Sequence, residues 1–239
     1  MGITFDENKD QQVNFNNTTQ EKMTELLEWA YISTIRGLPG QTDIYSLVDD
    51  YLSRYDNETA INKLISAQKT KATTSGIITG FGGIITMPVT VPANVASVLL
   101  VQMRMIAAIA LIRGYDLNSD QVKTFIYATL AGTSVADITK RSGIIISNKM
   151  MTGVIKKIPG KTLTRINQAV GFRLFTKFGT KGAINLGKAV PVAGAVVGGG
   201  IDLFTTTGIA KLAKRTFTDD GIDVGDGTII NKDEFEVID

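Results

Sequence analysis

The sequence predicts an all-α protein, a multi-helix bundle with two glycine-rich hydrophobic segments and an acidic tail that is disordered or forms a short hairpin. Three observations predict it. Apolar residues recur at helical spacing between capping residues and Gly or Pro stops. The stretch from Gly76 to Asp116 is apolar, notched by glycine and broken by Pro88 and Pro92. At 239 residues the chain is long enough to bury one sizeable core.

Residues 1–17 are polar and Asn/Gln-rich, the composition of a disordered segment. A helical domain is expected over 18–217, opening with acidic helices at 18–56, and an acidic tail over 218–239. Thr18 and Glu21 form a capping box, after which Met23, Leu26, Leu27, Ala30 and Thr34 keep helical spacing until Gly37 and Pro39. Ile44, Leu47, Val48, Tyr51, Leu52 and Tyr55 make the next apolar stripe, capped by Asp43. Asn57 is expected to cap the helix that carries Ile61, Leu64 and Ile65.

Glycines at 76, 80, 82 and 83 then interrupt a β-branched run, which disfavours a regular helix there. Pro92 suits the first turn of a helix running to Arg113 and stopping at Gly114. Ser119 starts another, with Val122, Phe125, Ile126 and Leu130 on its buried face. Farther on, Leu163, Ile166, Val170 and Leu174 form one stripe, and Phe172, Phe175 and Phe178 are expected to thicken its apolar side. Gly187, Pro191, Gly194, Gly198 and Asp202 trace a groove of small residues, the kind that lets helices approach closely. The tail suggests a hairpin around Asn231 and Lys232.

Charge is segregated. Residues 1–59 carry −7, residues 60–217 carry +16, and residues 218–239 carry −7, for a net +2. The cationic middle repels itself unless the acidic ends fold onto it or an anionic partner lies against it. There is no cysteine and no histidine. Disulfides, thiolate chemistry, Cys/His metal centres and histidine acid–base catalysis are therefore excluded, and no cofactor is indicated. Asp223 and Glu234 have the spacing of an EF-hand loop, but Gly225, Gly227 and Thr228 fail its ligand and turn positions. The N-terminus lacks the basic start and apolar run of a secretory signal, so a cytoplasmic location at the inner face of the membrane is expected.

Three residues stand out as ligand or ion-pair candidates: Arg104, inside the longest apolar helix, and Asp137 and Asp202, among the few acids of the basic region. A buried arginine needs an anion or several carbonyls. Pairing with Asp137 or Asp202 is one reading, and capture of a lipid phosphate another. An Arg at mid-membrane costs about 2.5–3.5 kcal/mol on insertion scales, which favours enclosure in protein over a lipid span. Gly80, Gly82, Gly83, Gly194 and Gly198 are candidate helix-packing glycines. Lys156, Lys157, Lys161, Arg165, Arg173, Lys177 and Lys181 are candidate membrane contacts, because basic helices with apolar faces rest on anionic interfaces.

Gly80-Phe81-Gly82-Gly83, Met87-Pro88, Val91-Pro92, the run Val101 to Ile106 with its Arg104, Gly114-Tyr115-Asp116, Pro191 to Gly194, Gly198 to Asp202, and Ala213-Lys214-Arg215 with Phe217 together resemble the EcsC family of bacterial proteins. The resemblance covers about 60–217. It implies membrane association and carries no agreed reaction.

The expected function is thus a non-enzymatic, peripheral membrane protein whose basic face meets anionic lipid, accessory to a transport or envelope process. One alternative is a membrane-perturbing effector that inserts its glycine-rich hairpins. Another is an enzyme on a phosphorylated or lipid-like substrate, using Arg104 and the two aspartates. A membrane protein is a second possible partner. Nucleic acid is disfavoured because the phenylalanines lie on the apolar stripe and not among the bases.

Overall fold

The computed structural model describes residues 23–73, 93–143, 158–178 and 196–232, with the side chains of 71–73, 93–95, 175–178 and 196–204 outside the description. Among these residues the protein is a bundle of eight helices with one two-stranded hairpin, as the sequence predicts. The capping box at Thr18 and the glycine segment 76–91 lie outside them.

Helix α1 covers 23–36. Its stripe of Met23, Leu26, Leu27, Ala30 and Thr34 is buried, and Gly37 ends it in the left-handed region at φ 78°. A side chain at Gly37 would come within 2.7 Å of the Gln41 carbonyl oxygen, so the turn requires glycine. Helix α2, Ile44–Leu52, begins where Asp43 accepts a hydrogen bond from the Ser46 amide at 2.9 Å. Helix α3, Asn57–Thr73, is capped one residue earlier than expected. The Asp56 carboxylate accepts from the Thr59 amide at 3.0 Å, and Asn57 is the first helical residue. Both residue types cap well, and neighbouring candidates cannot be separated by type alone.

Helix α4, Ala93–Ile112, is followed by α5, Asp120–Leu130, α6, Val135–Arg141, α7, Gly160–Phe178, and α8, Val196–Thr216. Helix α4 is the axis. Every residue from Val101 to Ala110 is buried, the signature of a helix surrounded on all sides. It packs against α2, α3, α5 and α8, while α7 lies across α5 and α6. Its C-terminus stops as predicted at Gly114, φ 79°. The Tyr115 amide donates to Ala110 O at 3.0 Å and the Gly114 amide to Leu111 O at 2.8 Å, the paired bonds of a Schellman cap. Gly132 closes α5 in the same way, through Thr133 to Ala128 O and its own amide to Thr129 O.

The stripe Leu163, Ile166, Val170 and Leu174 of α7 is buried as expected. Phe172 is not part of it: this side chain is 55% exposed. It stands two residues from both Val170 and Leu174, and positions two apart on a helix face different directions. The side chains of Phe175 and Phe178 lie outside the description.

Beyond α8, strand β1, Gly221–Asp223, pairs antiparallel with β2, Ile229–Asn231, with Ile222 opposite Ile230. The hairpin turns at 224–228, not at Asn231 and Lys232. Gly225 at φ 103° and Gly227 at φ 94° supply the left-handed backbone that the turn needs. Asp223 and Asp226 carboxylates accept from the amides two residues on, at 2.7 and 3.0 Å. This segment is no loose tail. Phe217, Ile222, Val224 and Ile230 are buried in the same core as the helices.

Candidate functional site

Gln102 and Arg104 of α4 both donate to partners inside the bundle. Gln102, fully buried, donates through Nε2 to Thr206 Oγ1 at 3.1 Å and to Thr205 Oγ1 at 3.5 Å on α8. Arg104, 7% exposed, donates to Thr42 O at 2.6 Å, to Thr34 O at 3.4 Å and to Thr42 Oγ1 at 3.5 Å. The expected pairing with Asp137 is overturned. Carbonyls at the end of α1 and in the α1–α2 connection satisfy the guanidinium, because these are the acceptors the fold places beside it. Burial lowers the pKa of Arg104, and the more distant charge of Asp43 raises it. Against the guanidinium lies a cavity of about 20 Å³ lined by Ser33, Thr34, Leu38, Gln41, Gln68 and apolar atoms of α4.

Asp137 is exposed in the first turn of α6, where its amide donates to the capping hydroxyl of Ser134 at 3.1 Å. It borders a surface groove of about 170 Å³ with Arg215, Thr216 and Asp223. Asp202 stands on α8, with its side chain outside the description. Gly198 is on the same helix. Gly80, Gly82, Gly83, Gly194, Lys156, Lys157 and Lys181 lie outside the described residues.

Among the described residues, acids of both ends pair with bases of the middle. Glu28 pairs with Lys123 at 2.7 Å, joining α1 to α5, and the Lys123 ammonium lies 5.2 Å from the Tyr31 ring centre. A larger network, which the sequence reading missed, gathers at the C-terminus of α4. Arg113, with its side chain 8% exposed, forms ion pairs with Glu58 of α3 and with Asp219. Glu58 also takes Lys214 of α8 at 2.8 Å. Lys232 donates to the Arg113 carbonyl and sits 5.6 Å from the Tyr115 ring centre. The Tyr115 hydroxyl donates to Thr218 O at 2.7 Å, and its ring meets Phe217 edge to face at 5.4 Å. Lys214, with burial opposing and Arg113 assisting, holds Glu58 below the usual carboxylate range. For Arg113, burial lowers the pKa, but Asp219 and Glu58 together outweigh it and raise the value. The signal for this network was the opposed charge of ends and middle, without any hint of which residues meet.

A second basic region is left outside that seam. Lys140 and Arg141 of α6 and Lys161 and Arg165 of α7 are exposed and form no ion pair among the described residues. Lys161, Arg165, Gln168 and Phe172 follow one another at helical spacing along the outer face of α7, opposite its buried stripe. Phe172 lies in a surface groove of about 340 Å³ with Ile138, Arg141, Ser142, Ala169 and Arg173. Arg173 donates to Ala131 O at 3.3 Å, which ties α7 to the end of α5. The side chain of Lys177 lies outside the description.

Among the described residues no helix is long and apolar enough to cross a membrane, and no cluster of acidic side chains could hold a metal ion. No curated protein and no solved structure matches the chain. A protein family does match, the EcsC protein family, over residues 11–219. That range is wider than the resemblance at 60–217, for it takes in the acidic helices α1–α3 that wrap the axis. The helices that enclose α4 and the motif-bearing stretch within it thus fall in a single match, and the chain belongs to the EcsC protein family.

Proposed function

We propose that this protein is a peripheral membrane protein that meets anionic lipid through the outer faces of α6 and α7. The observation that carries the reading is the placement of Phe172. Phe125 and Phe217 are buried, whereas Phe172 stands out at the end of a cationic stripe. An exposed aromatic beside unpaired Lys and Arg suits a bilayer interface, where the ring enters the headgroup–acyl boundary and the bases stay with phosphate. Lys140, Arg141, Lys161 and Arg165 contribute about 1 kcal/mol each near an anionic surface. Among the described residues, acidic side chains pair with the bases of the α3–α4–α8 seam and of the α1–α5 contact, while the exposed bases of α6 and α7 have no such partner. Contact of this kind is superficial, since the apolar α4 is enclosed by protein.

Flotation with vesicles tests this. Binding is expected to vesicles of mixed phosphatidylglycerol and phosphatidylcholine at low salt, to weaken at high salt, and to be absent with phosphatidylcholine alone. Lys161→Glu with Arg165→Glu is expected to weaken it about tenfold or more, and Phe172→Ala to weaken it further. Failure of the unaltered protein to float with anionic vesicles at low salt would refute the reading.

A further inference from the structure

We propose that the groove between α6 and α7 is a headgroup site for a lipid phosphomonoester of the phosphatidic acid class. This rests on the reading of that face as lipid-facing and goes beyond it, from a charged surface to one seat for one molecule. Each helix supplies a residue with its third and fourth neighbours: Ile138, Arg141 and Ser142 from the end of α6, and Ala169, Phe172 and Arg173 from α7. Positions so spaced share one face of a helix, and the two faces meet along the groove.

Charge sets the sign of the occupant. Two arginines line the groove and no acid does. Other surface grooves are mixed in charge. One of about 300 Å³ between α1 and α5 carries Glu28 and Asp120, and the one beside Arg215 carries Asp137 and Asp223. Arg173 is anchored through Nε to Ala131 O at 3.3 Å, which holds its guanidinium at the groove wall. Arg141 is exposed and pairs with no acid among the described residues. A planar guanidinium meets the oxygens of a phosphate two at a time. A phosphomonoester carries about −1.5 to −2 at pH 7, close to the charge of two arginines. A phosphodiester such as phosphatidylglycerol has given its second ionisable oxygen to the ester.

Shape and polarity narrow the class to a lipid. The groove holds about 340 Å³, within the roughly 300–1,000 Å³ of small-molecule sites. Ile138 is buried and Phe172 exposed, so the apolar side of the groove runs from the core out to the surface. That course suits the glycerol stem of a lipid, and free phosphate has no use for it.

Flotation with phosphatidylcholine vesicles carrying either phosphatidic acid or phosphatidylglycerol, matched in surface charge, tests the proposal. The unaltered protein is expected to bind phosphatidic acid about fivefold more tightly. Arg141→Gln, at an exposed position, is expected to remove that preference. Lys161→Glu with Arg165→Glu is expected to weaken both and keep it. In a vesicle-free titration, monomeric dihexanoyl phosphatidic acid is expected to saturate a single site, with inorganic phosphate and dihexanoyl phosphatidylglycerol binding more weakly. Equal flotation with both lipids, a preference that survives Arg141→Gln, or inorganic phosphate binding as tightly as the soluble lipid would each overturn the site and leave the charged surface standing. No flotation with either lipid would refute the lipid-facing reading instead. The soluble lipid then decides the groove by itself: saturable binding that Arg141→Gln abolishes keeps the site, and no binding overturns it.

Discussion

Arg104 donates to the backbone carbonyl of Thr42 at 2.6 Å, so the axial helix grips the α1–α2 connection through main chain and not through a carboxylate. The bond links residues 62 positions apart. Arg104→Leu removes the charged donors from Thr34 and Thr42 together and is expected to destabilise the fold by about 1–3 kcal/mol in urea denaturation. Arg104→Lys does not restore both bonds, because a single ammonium lacks the planar fork. Unchanged midpoints for Arg104→Leu would show that the connection holds without it.

The network at Arg113 gives stability an acid limb. Lys214, joined by Arg113, keeps the folded pKa of Glu58 below its ordinary value. The unfolded chain therefore takes up this proton first as pH falls, and the contribution is complete above the ordinary glutamate range and lost as pH drops through the lower folded value. Half of the Glu58 side chain remains in water, so the effect is modest, about 1 kcal/mol or less. Glu58→Gln is expected to flatten the decline of Tm below about pH 4.5 relative to the unaltered protein. An identical acid limb in both proteins would count against Glu58 as its source.

Gly221 tests whether the hairpin is structural. A Cβ at this position would overlap the Ile230 carbonyl oxygen across the strand pair. Gly221→Ala is expected to cost about 1–3 kcal/mol as the strands separate, and to expose 218–232 to limited proteolysis. Resistance equal to the parent protein would mean that the hairpin tolerates the methyl group by a shift elsewhere.

Two residues on α7 separate core from surface. Leu174 is fully buried and Phe172 is 55% exposed. Leu174→Ala is expected to cost about 2–5 kcal/mol through the cavity it leaves. Phe172→Ala is expected to stay within about 0.5 kcal/mol while reducing vesicle binding. Chemical denaturation and flotation on the same preparations separate the two outcomes, and a large stability loss for Phe172→Ala would place that ring in the core.

The helical spacing in the sequence reaches the architecture because burial repeats with the helix. The stripes of α1, α3, α5 and α7 and the stop at Gly114 follow from side-chain size and from the left-handed freedom of glycine. Partner choice is not legible in the same way. Gln102 finding Thr206, Arg113 finding Glu58, and Arg104 finding carbonyls depend on helix order in space, and no spacing rule encodes contacts between residues 55 to 104 positions apart. Phe172 shows a different limit: apolar character alone does not place a side chain in the core, and its position on α7 is two residues from the buried stripe. The hairpin itself forms as expected and only its turn is displaced from Asn231-Lys232, since the Gly-Asp-Gly of 225–227 supplies the left-handed backbone a turn needs.

The clasp of Lys232 on the Arg113 carbonyl spans 119 positions, which sets a timetable for biosynthesis. At roughly 5–20 residues per second, Arg113 leaves the ribosome on the order of ten seconds before Lys232 does. For most of that interval the C-terminal end of α4, with the Tyr115 ring, lacks its cover, because Phe217 and the strands that pack there are among the last of those 119 residues to be made. A nascent chain of this protein therefore exposes apolar surface there that the finished molecule covers.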